Sequence, residues 1–427
     1  MIAANSDTAT TLRCLRELFG KSPPEKISIR LWDGTSWPDE NHRSATLVLR
    51  HPGALREMLA AGTEMGLAEA FLHEDFDVEG DTVAAVELAD LVRNQPRGGL
   101  LDTVAKFYHL QRLPAREDSH GGWRIFSSGR APQHTMERDR SAVSFHYDLS
   151  NDFYRLWLDE RMVYSCAYFQ KPDDDIHTAQ TAKLEHLCRK LRLRRGQRLL
   201  DIGCGWGGLA IYAARHYGAK VTGVTLSERQ AEMARARVAE AGLEDEVSIH
   251  VCDYRELNTA EYFDAIVSVG MAEHVGPDHL AGYFARAAWL LKPGGLFMNH
   301  AISESVRPRN NHGPSFIDEY VFPDADVPHL PLVLQAAESA GLEIRDVENL
   351  REHYAITLRH WLRRLEANHE QAVTFINEPT YRVWRVYLAG SAYGFDRCNL
   401  AIYQSLLSKP DAQGRAHLPL TRRNWCD

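Results

Sequence analysis

Short apolar runs alternate with amphipathic stretches through the second half of the chain. A stretch with helical spacing covers about 178–193, and similar stretches separate the apolar runs that follow it. We expect buried strands over five of these runs, at 198–203, 220–226, 247–253, 263–270 and 295–302. Near-continuous apolar strands separated by amphipathic helices are typical of a parallel sheet covered on both faces. The pattern therefore predicts an α/β domain with a parallel-type sheet.

The first part of the chain follows a different pattern. Residues 1–112 mix short alternating runs with helical stretches and contain a hairpin signal at Asp33 and Gly34, which predicts a small α+β domain. Residues 113–142 are rich in Pro, Gly, Ser and charge and show no sustained period, so we expect a linker there. The sheet-bearing domain then covers 143–427.

Composition narrows the functional class. Of 427 residues, 44% are hydrophobic and 25% charged, which excludes a disordered chain. No apolar run reaches about 18 residues and the N-terminus lacks signal-peptide features, so a cytoplasmic protein is expected. A net charge of −9 disfavours nucleic-acid binding. The seven cysteines are scattered without a Cys-x-x-Cys pair, so we expect reduced thiols and no zinc site.

The first predicted strand runs into a glycine-rich turn, LLDIGCGWGGLA. Asp201, Gly203, Cys204, Gly205 and Gly207 stand in it, and glycines let the backbone approach a ligand closely because they lack a Cβ. The spacing differs from the dinucleotide-binding loop, and no phosphate-binding G-x-x-x-x-G-K-[ST] motif occurs. The turn resembles the nucleoside-binding loop of class I S-adenosylmethionine methyltransferases.

Polar side chains also end the next two predicted strands. Thr225 and Gln230 offer a hydroxyl and an amide, Asp253 a carboxylate that can accept from an adenine amine, and Tyr254 a ring that can stack on a base. Each residue taken singly is explained equally well by a structural role. Their order along the chain favours a nucleoside cofactor.

The fourth and fifth predicted strands end in Glu273, His274 and His300. A carboxylate and an imidazole at adjacent strand ends can form an acid-base pair or hold a small anion with a shared proton. A metal site would need further ligands, and no suitable pair lies close in sequence. A histidine satisfied in the core is the structural alternative for His300.

Two other segments allow two interpretations each. Residues 144–169 hold eight Phe, Tyr and Trp side chains and Cys166, and predict either packed core or a cover over a cationic cofactor. Cys166 as a nucleophile would need an activating base that the sequence does not reveal. The basic run at 189–195 indicates the solvated end of a helix or a contact for anionic lipid.

Taken together, the motifs strongly resemble the cyclopropane fatty acid synthase family, which includes the mycolic acid cyclopropane synthases. The resemblance is carried by FHYDLSNDFYRLWLDERMVYSCAYF, LLDIGCGWGGLA, VTGVTLSERQ, EHVG, LKPGGL, HYAITLRHWLRRLEAN and VWRVYLAGSAYGF. It runs in order from about Phe145 to the C-terminus, while the first 110 or so residues resemble that family's lipid-binding domain more weakly. It implies a Rossmann-like class I methyltransferase domain behind a small α+β domain.

The resemblance also implies which residues form the site. Bicarbonate serves as the base in that family, and its pocket carries over to Cys166, Glu273, His300, Ile302 and Tyr354. The implied contacts with S-adenosylmethionine are Tyr164, Ser165, Asp201, Gly203, Cys204, Gly205, Gly207, Thr225, Leu226, Ser227, Gln230, Asp253 and Tyr254. Ser391 replaces a cysteine that the family often shows, so no role of that thiol applies here.

The implied reaction transfers a methylene group from S-adenosylmethionine to the cis double bond of unsaturated phospholipid acyl chains. The expected partner is therefore the membrane surface, visited peripherally at its inner face, with a homodimer possible. Helices over Tyr354–Ser408 and the N-terminal domain are the expected walls of an acyl channel.

Three other functions compete with this one. The first is acyl C-methylation that yields methyl- or methylene-branched chains. The second is a lipid-binding or transfer protein with a vestigial fold. The third is an RNA methyltransferase, which the acidic balance disfavours.

Overall fold

The computed structural model describes most of the chain. The described residues are 2–19, 24–38, 43–60, 63–93, 108–115, 138, 149–305, 316–322 and 326–423. The chain folds into two compact units, each made of several chain segments. Most of the predicted linker lies outside the described residues, so the predicted domain boundaries stay predictions.

The first unit contains residues 1–125, 311–321 and 377–393. Its strands form a mixed sheet in the order β2-β1-β3-β4: β1 (Ile27–Arg30), β2 (Ser36–Trp37), β3 (Ala45–Leu49) and β4 (Phe76–Gly80). Its first four helices are α1 (Ile2–Phe19), α2 (Ala54–Ala60), α3 (Glu64–Leu72) and α4 (Thr82–Arg93). The antiparallel pairing of β1 with β2 confirms the hairpin predicted at Asp33 and Gly34.

Ion pairs attach a distant segment to the first unit. Arg382 and Arg385 each contact a carboxylate oxygen of Asp77, at 3.0 and 2.9 Å, and Arg382 also donates to the Phe71 carbonyl. The division predicted at 112 and 142 does not anticipate this segment, because a pairing across about 300 positions leaves no local sequence pattern.

The second unit contains 126–310, 322–376 and 394–427. Its sheet has seven strands in the order β10-β11-β9-β8-β5-β6-β7: β5 (Arg198–Ile202), β6 (Lys220–Thr225), β7 (Val247–Val251), β8 (Phe263–Val269), β9 (Leu291–Glu304), β10 (Glu343–Asn349) and β11 (Leu400–Ser408). β5 to β9 pair in parallel, which confirms the predicted parallel-type sheet.

Ten more α-helices follow α4 in the part of the chain that the structure describes. They are α5 (Asn151–Trp157), α6 (Ile176–Lys190), α7 (Gly208–Tyr217), α8 (Glu228–Glu240), α9 (Leu280–Leu290), α10 (Phe316–Tyr320), α11 (Leu330–Ser339), α12 (Arg351–Ala367), α13 (His369–Phe375) and α14 (Glu378–Asp396). α10 and most of α14 belong to the chain segments of the first unit.

Both faces of the seven-stranded sheet are covered, as the apolar strands predict. Leu199 packs on one face in a cluster with residues of α6, α7 and α8, and its neighbour Leu200 packs on the other with residues of α9 and α11. Successive strand side chains point to opposite faces, so each face has its own core. This arrangement leaves the carboxyl ends of β5 to β9 at one edge of the sheet.

The expectation of helices up to Ser408 is wrong for its last part. Residues 400–408 form β11, which pairs antiparallel with β9 and with β10. The sequence LAIYQSLLS is buried almost throughout, so it shows neither helical nor alternating periodicity. Its pairing with strands distant in sequence decides the conformation.

Candidate active site

A cavity of about 410 Å³ opens at the carboxyl ends of β5 to β8. Eleven of the thirteen predicted cofactor residues line it: Tyr164, Ser165, Asp201, Gly203, Cys204, Gly205, Thr225, Leu226, Gln230, Asp253 and Tyr254. Gly207 and Ser227 do not. Gly207 precedes α7 with a φ of +77°, and the Ser227 side chain caps α8 by accepting from the Gln230 amide at 3.2 Å.

The glycine loop keeps this cavity open. Gly203 and Gly205 have φ values of +78° and +53°, a region that side chains with a Cβ rarely adopt. A Cβ on Gly203 would lie 3.3 Å from Cγ of Met271, whereas a Cβ on Gly205 would meet no protein atom within 4 Å. The backbone at Gly205 is therefore a place where a ligand can approach closely.

The walls at β6 and β7 are held by local hydrogen bonds. The Thr225 hydroxyl donates to Oε1 of Gln230 at 2.8 Å, which fixes the orientation of that amide. The Asp253 carboxylate accepts from the Arg255 side chain at 2.6 and 2.8 Å. A ligand amine at Asp253 would therefore share the carboxylate with Arg255.

Lys183 lines the cavity and was missed by sequence reasoning. Its Nζ donates to Oγ of Ser165 at 2.9 Å, and burial lowers its pKa to about 8. Burial also raises the pKa of Asp201 to about 7, although Lys183 opposes the rise. Position 183 falls on the buried stripe of α6 together with Ala179 and Leu187. A lysine at helical spacing between the apolar residues Ala179 and Leu187 was the available signal.

Aromatic side chains pack behind the cavity. The ring of Tyr164, which lines it, lies 5.8 Å from Tyr154, 5.3 Å from Trp157 and 5.2 Å from Trp361 between centroids. The aromatic stretch is thus core and cavity wall at once. Its first part, residues 144–148, lies outside the described residues.

The five residues of the implied anion pocket form a separate group, which we call the strand-end cluster: Cys166, Glu273, His300, Ile302 and Tyr354. None of them lines the cavity.

Leu350 connects two members of this cluster to β11. Its carbonyl accepts from the Cys166 thiol at 3.8 Å and from the Tyr354 amide at 3.1 Å, and its own amide donates to Ile402 of β11 at 2.9 Å. Ile402 pairs with Ile302 in register. The structure thus brings together residues that are far apart in sequence.

Two buried polar atoms of the cluster have no hydrogen-bond partner among the described residues. The Ile302 amide donates to Oε1 of Glu273 at 2.7 Å, but Oε2 of Glu273 has no partner, nor has Nε2 of His300. Leaving such an atom unpaired costs ~1–3 kcal/mol. A small oxyanion with a hydroxyl group has the donor and acceptor atoms to satisfy both, so these residues fit bicarbonate.

Burial sets the charge states of the cluster. It raises the pKa of Glu273 to about 7 and lowers that of His300 well below its usual value, with Lys183 and Lys190 adding to the fall. Burial also raises the pKa of the Cys166 thiol. His300 is therefore neutral near pH 7, and Cys166 is a thiol rather than a nucleophilic thiolate.

Neither a metal cluster nor a membrane-spanning helix is present in the part of the chain that the structure describes. No group of three or more His, Cys, Asp or Glu side chains there is arranged to hold a metal ion. No described helix combines the length and apolar character needed to cross a bilayer.

Comparison with known proteins agrees with this geometry. The family described as mycolic acid cyclopropane synthetase matches residues 134–405. A probable fatty acid methyltransferase of Pseudomonas putida is 41% identical over 93% of this chain and 95% of its own length. The cyclopropane-fatty-acyl-phospholipid synthase of Escherichia coli K12 is 41% identical over 62% of this chain and 66% of its own.

A solved structure of the same family superposes on more than half of the chain. Mycolic acid cyclopropane synthase CmaA1, complexed with SAH and CTAB, is 33% identical with a TM-score of 0.60 and matches 63% of this chain and 97% of that one. The fold, the cavity at the glycine loop and the sequence matches all indicate the same family. The chain belongs to the mycolic acid cyclopropane synthetase family and is a methyltransferase that uses S-adenosylmethionine.

Proposed function

We propose that this enzyme transfers a methylene group from S-adenosylmethionine to the cis double bond of unsaturated phospholipid acyl chains, with bicarbonate as the base. The observation that carries the proposal is that two buried atoms, Oε2 of Glu273 and Nε2 of His300, have no hydrogen-bond partner among the described residues. A base held by these two groups would accept the proton that ring closure releases.

The chain's own residues orient the base, position the co-substrate and exclude water in this reaction. S-adenosylmethionine, when bound, supplies the one-carbon unit, and bicarbonate supplies the proton acceptor. The methyl group bonds to one carbon of the double bond as its bond to the sulfonium sulfur breaks, and S-adenosylhomocysteine leaves with that electron pair. A cation is left on the other alkene carbon, and the ring closes when the new methyl loses a proton to the base. Glu273 and His300 orient the base and hold its protons, with Tyr354 as a further donor.

The cavity side contributes positioning and exclusion of water. The glycine loop gives the backbone close access to the ligand. Burial raises the pKa of Asp201 to about 7, and a cationic co-substrate beside this carboxyl would favour its ionised form. The buried rings of Tyr154, Trp157 and Trp361 keep water from the intermediate cation and present faces that attract positive charge.

A second candidate is acyl C-methylation, which gives methyl- or methylene-branched fatty acids. It is favoured by the relative that matches 93% of this chain, because that protein bears the name of a probable fatty acid methyltransferase. The cyclopropane synthase of E. coli matches a smaller share, 62%. Both candidates use the same cavity. A methylene-branched product differs from the ring in where the proton leaves, and a saturated methyl-branched product additionally requires a hydride donor.

The lipids of a heterologous host that expresses the chain distinguish the two. Mass spectrometry should show acyl chains heavier by one CH₂, which cyclopropane and methylene-branched products share. NMR should then show loss of the alkene protons and gain of ring protons. Products that retain an alkene, or gain a branched methyl without a ring, would establish the second candidate instead.

The substrate also requires contact with a bilayer. Since unsaturated phospholipid is insoluble in water, the proposed enzyme visits the membrane surface reversibly and remains peripheral to it. We place part of this contact on the N-terminal domain, as its weaker resemblance to a lipid-binding domain suggests. Flotation of the full chain with liposomes tests the association.

A further inference from the structure

An open groove lies between α5 and α12 in the second unit. Three arginines and a histidine line it, namely Arg155, His360, Arg363 and Arg364, together with uncharged residues. No carboxylate side chain is among the residues that line it. This concentration of positive charge contrasts with the net charge of −9 of the whole chain.

One of the arginines is fixed in place by neutral partners. The Arg364 side chain donates to the carbonyls of Trp157 and Leu158 at the end of α5, at 3.0 and 2.8 Å. Asn368 in turn donates to the Arg364 carbonyl at 2.8 Å. Because none of these partners is an anion, the charge of Arg364 is positioned without being neutralised.

The other two arginines add charge that is weakly compensated. Nε of Arg363 donates to the Arg359 carbonyl at 3.2 Å, and this exposed arginine makes no ion pair with any described residue. Arg155 pairs with Asp152 at 2.7 Å, but both side chains are more than half exposed. Exposed pairs of this kind interact weakly in water.

The basic run at 189–195, which the sequence suggested as a contact for anionic lipid, is partly occupied by ion pairs. Lys190 is buried and contacts Asp346 at 3.2 Å, and Arg189 pairs with Glu185 at 2.6 Å. Two of the five basic side chains of that run are therefore already paired with carboxylates, whereas Arg363 and Arg364 of the groove have no carboxylate partner among the described residues.

We infer that this groove binds the phosphate of a phospholipid head group, an inference that rests on the proposed phospholipid substrate. Planar guanidinium groups match phosphate oxygens in charge and geometry. The same helix, α12, carries Tyr354 of the strand-end cluster nine residues before Arg363, or ~13 Å along the helix axis. One acyl chain spans roughly 15 Å, half the bilayer core, so a lipid held at the groove is long enough to reach the cluster.

The test is binding of the full chain to vesicles of saturated phosphatidylglycerol. These lipids have no double bond, so the readout is independent of the reaction. Arg363→Glu should weaken vesicle binding about fivefold or more, since each basic side chain near an anionic surface contributes about that much. Arg363→Lys keeps the charge but loses the planar guanidinium group. Its affinity for the vesicles should lie between that of the parent protein and that of Arg363→Glu.

Arg215→Glu is the matched control. Arg215 is exposed at the end of α7, outside the groove, and its reversal changes the net charge equally. Equal losses of vesicle affinity in both variants, or no loss with Arg363→Glu, would overturn the inference. So would displacement of the protein from the vesicles by RNA or free inorganic phosphate at the same concentration as the vesicle phosphate. A product without the ring would overturn the proposed function and leave this result standing.

Discussion

The cavity and the strand-end cluster lie in the same unit and are built in opposite ways. The cavity is an open space of about 410 Å³ held by a glycine loop. The cluster is closed: the side chains of Cys166, Glu273, His300 and Tyr354 are all buried, and two of their polar atoms lack partners among the described residues. One site thus admits a large ligand by its shape. The other is suited to a small ion that completes its hydrogen bonds.

The largest effect should come from removing the charge of the cluster. Glu273→Gln keeps the size of the side chain but loses the carboxylate, so turnover should fall by ~10²–10³. Binding of S-adenosylmethionine should stay near normal, because Glu273 does not line the cavity. Product analysis and calorimetry measure the two effects, and added bicarbonate should restore part of the turnover.

The exposed Glu232→Gln on α8 makes the same chemical change elsewhere and should keep full activity. Full cyclopropane yield from Glu273→Gln would return the cluster to a purely structural role.

Stability should depend on pH through the same carboxyl group. Burial raises the pKa of Glu273 from 4.5 to about 7, so the folded protein holds a proton that the unfolded chain releases. This contribution to the free energy of unfolding is full below pH 4.5 and is lost as pH rises through 7. At ~1.4 kcal/mol per pKa unit, it amounts to ~3 kcal/mol.

Denaturant unfolding at pH 5 and pH 8 measures this loss. Glu273→Gln should flatten the dependence, leaving the parts due to Asp201, whose pKa is also raised to about 7, and to His300, whose lowered pKa changes stability in the opposite direction. An identical pH dependence in the parent and the variant would argue against a buried, protonated Glu273.

The cavity should respond to bulk rather than to charge. Gly205→Val places a side chain where the ligand approaches, and the affinity for S-adenosylmethionine should fall at least ~10-fold, a change of ~1.4 kcal/mol. Gly242→Val is the matched control, since Gly242 has a similar φ of +64°, open surroundings and a place outside the cavity. Equal affinity of the two folded variants would contradict the close approach.

The smallest effect should come from the contact that orients the imidazole. Nε2 of Gln404 lies 3.3 Å from Nδ1 of His300, so Gln404→Leu should lower turnover a few-fold, consistent with loss of one neutral hydrogen bond at ~1 kcal/mol. Ser408→Ala, buried on the same strand, should have no effect on turnover. Kinetics at several bicarbonate concentrations would locate the loss, which should appear in the affinity for bicarbonate.

The sequence predicts the cavity well because its determinants are local. The loop that begins at Asp201 follows directly on β5, and Thr225 and Asp253 stand where their strands end, so periodicity alone brings them to one edge. Lys183 was missed, although its place between apolar residues at helical spacing was a readable signal.

Such reasoning reaches only part of the strand-end cluster: strand ends bring Glu273 and His300 together, but they do not predict the place of Cys166 or Tyr354. Cys166 and Tyr354 meet at Leu350 across more than 180 positions, and only resemblance to a family placed them together. The strand that links them, β11, has no periodicity of its own and was expected to be helical. The attachment of Arg382 to Asp77 is invisible in the sequence for the same reason.

The position of β11 also bears on synthesis of the protein. This strand lies between β9 and β10, so neither has its described neighbour on that side until residue 408 has left the ribosome. A nascent chain that ends before β11 exposes two unpaired strand edges, which are sites of mispairing and aggregation. The strand-end cluster is therefore completed late, and an interrupted chain holds a finished glycine loop beside an incomplete cluster.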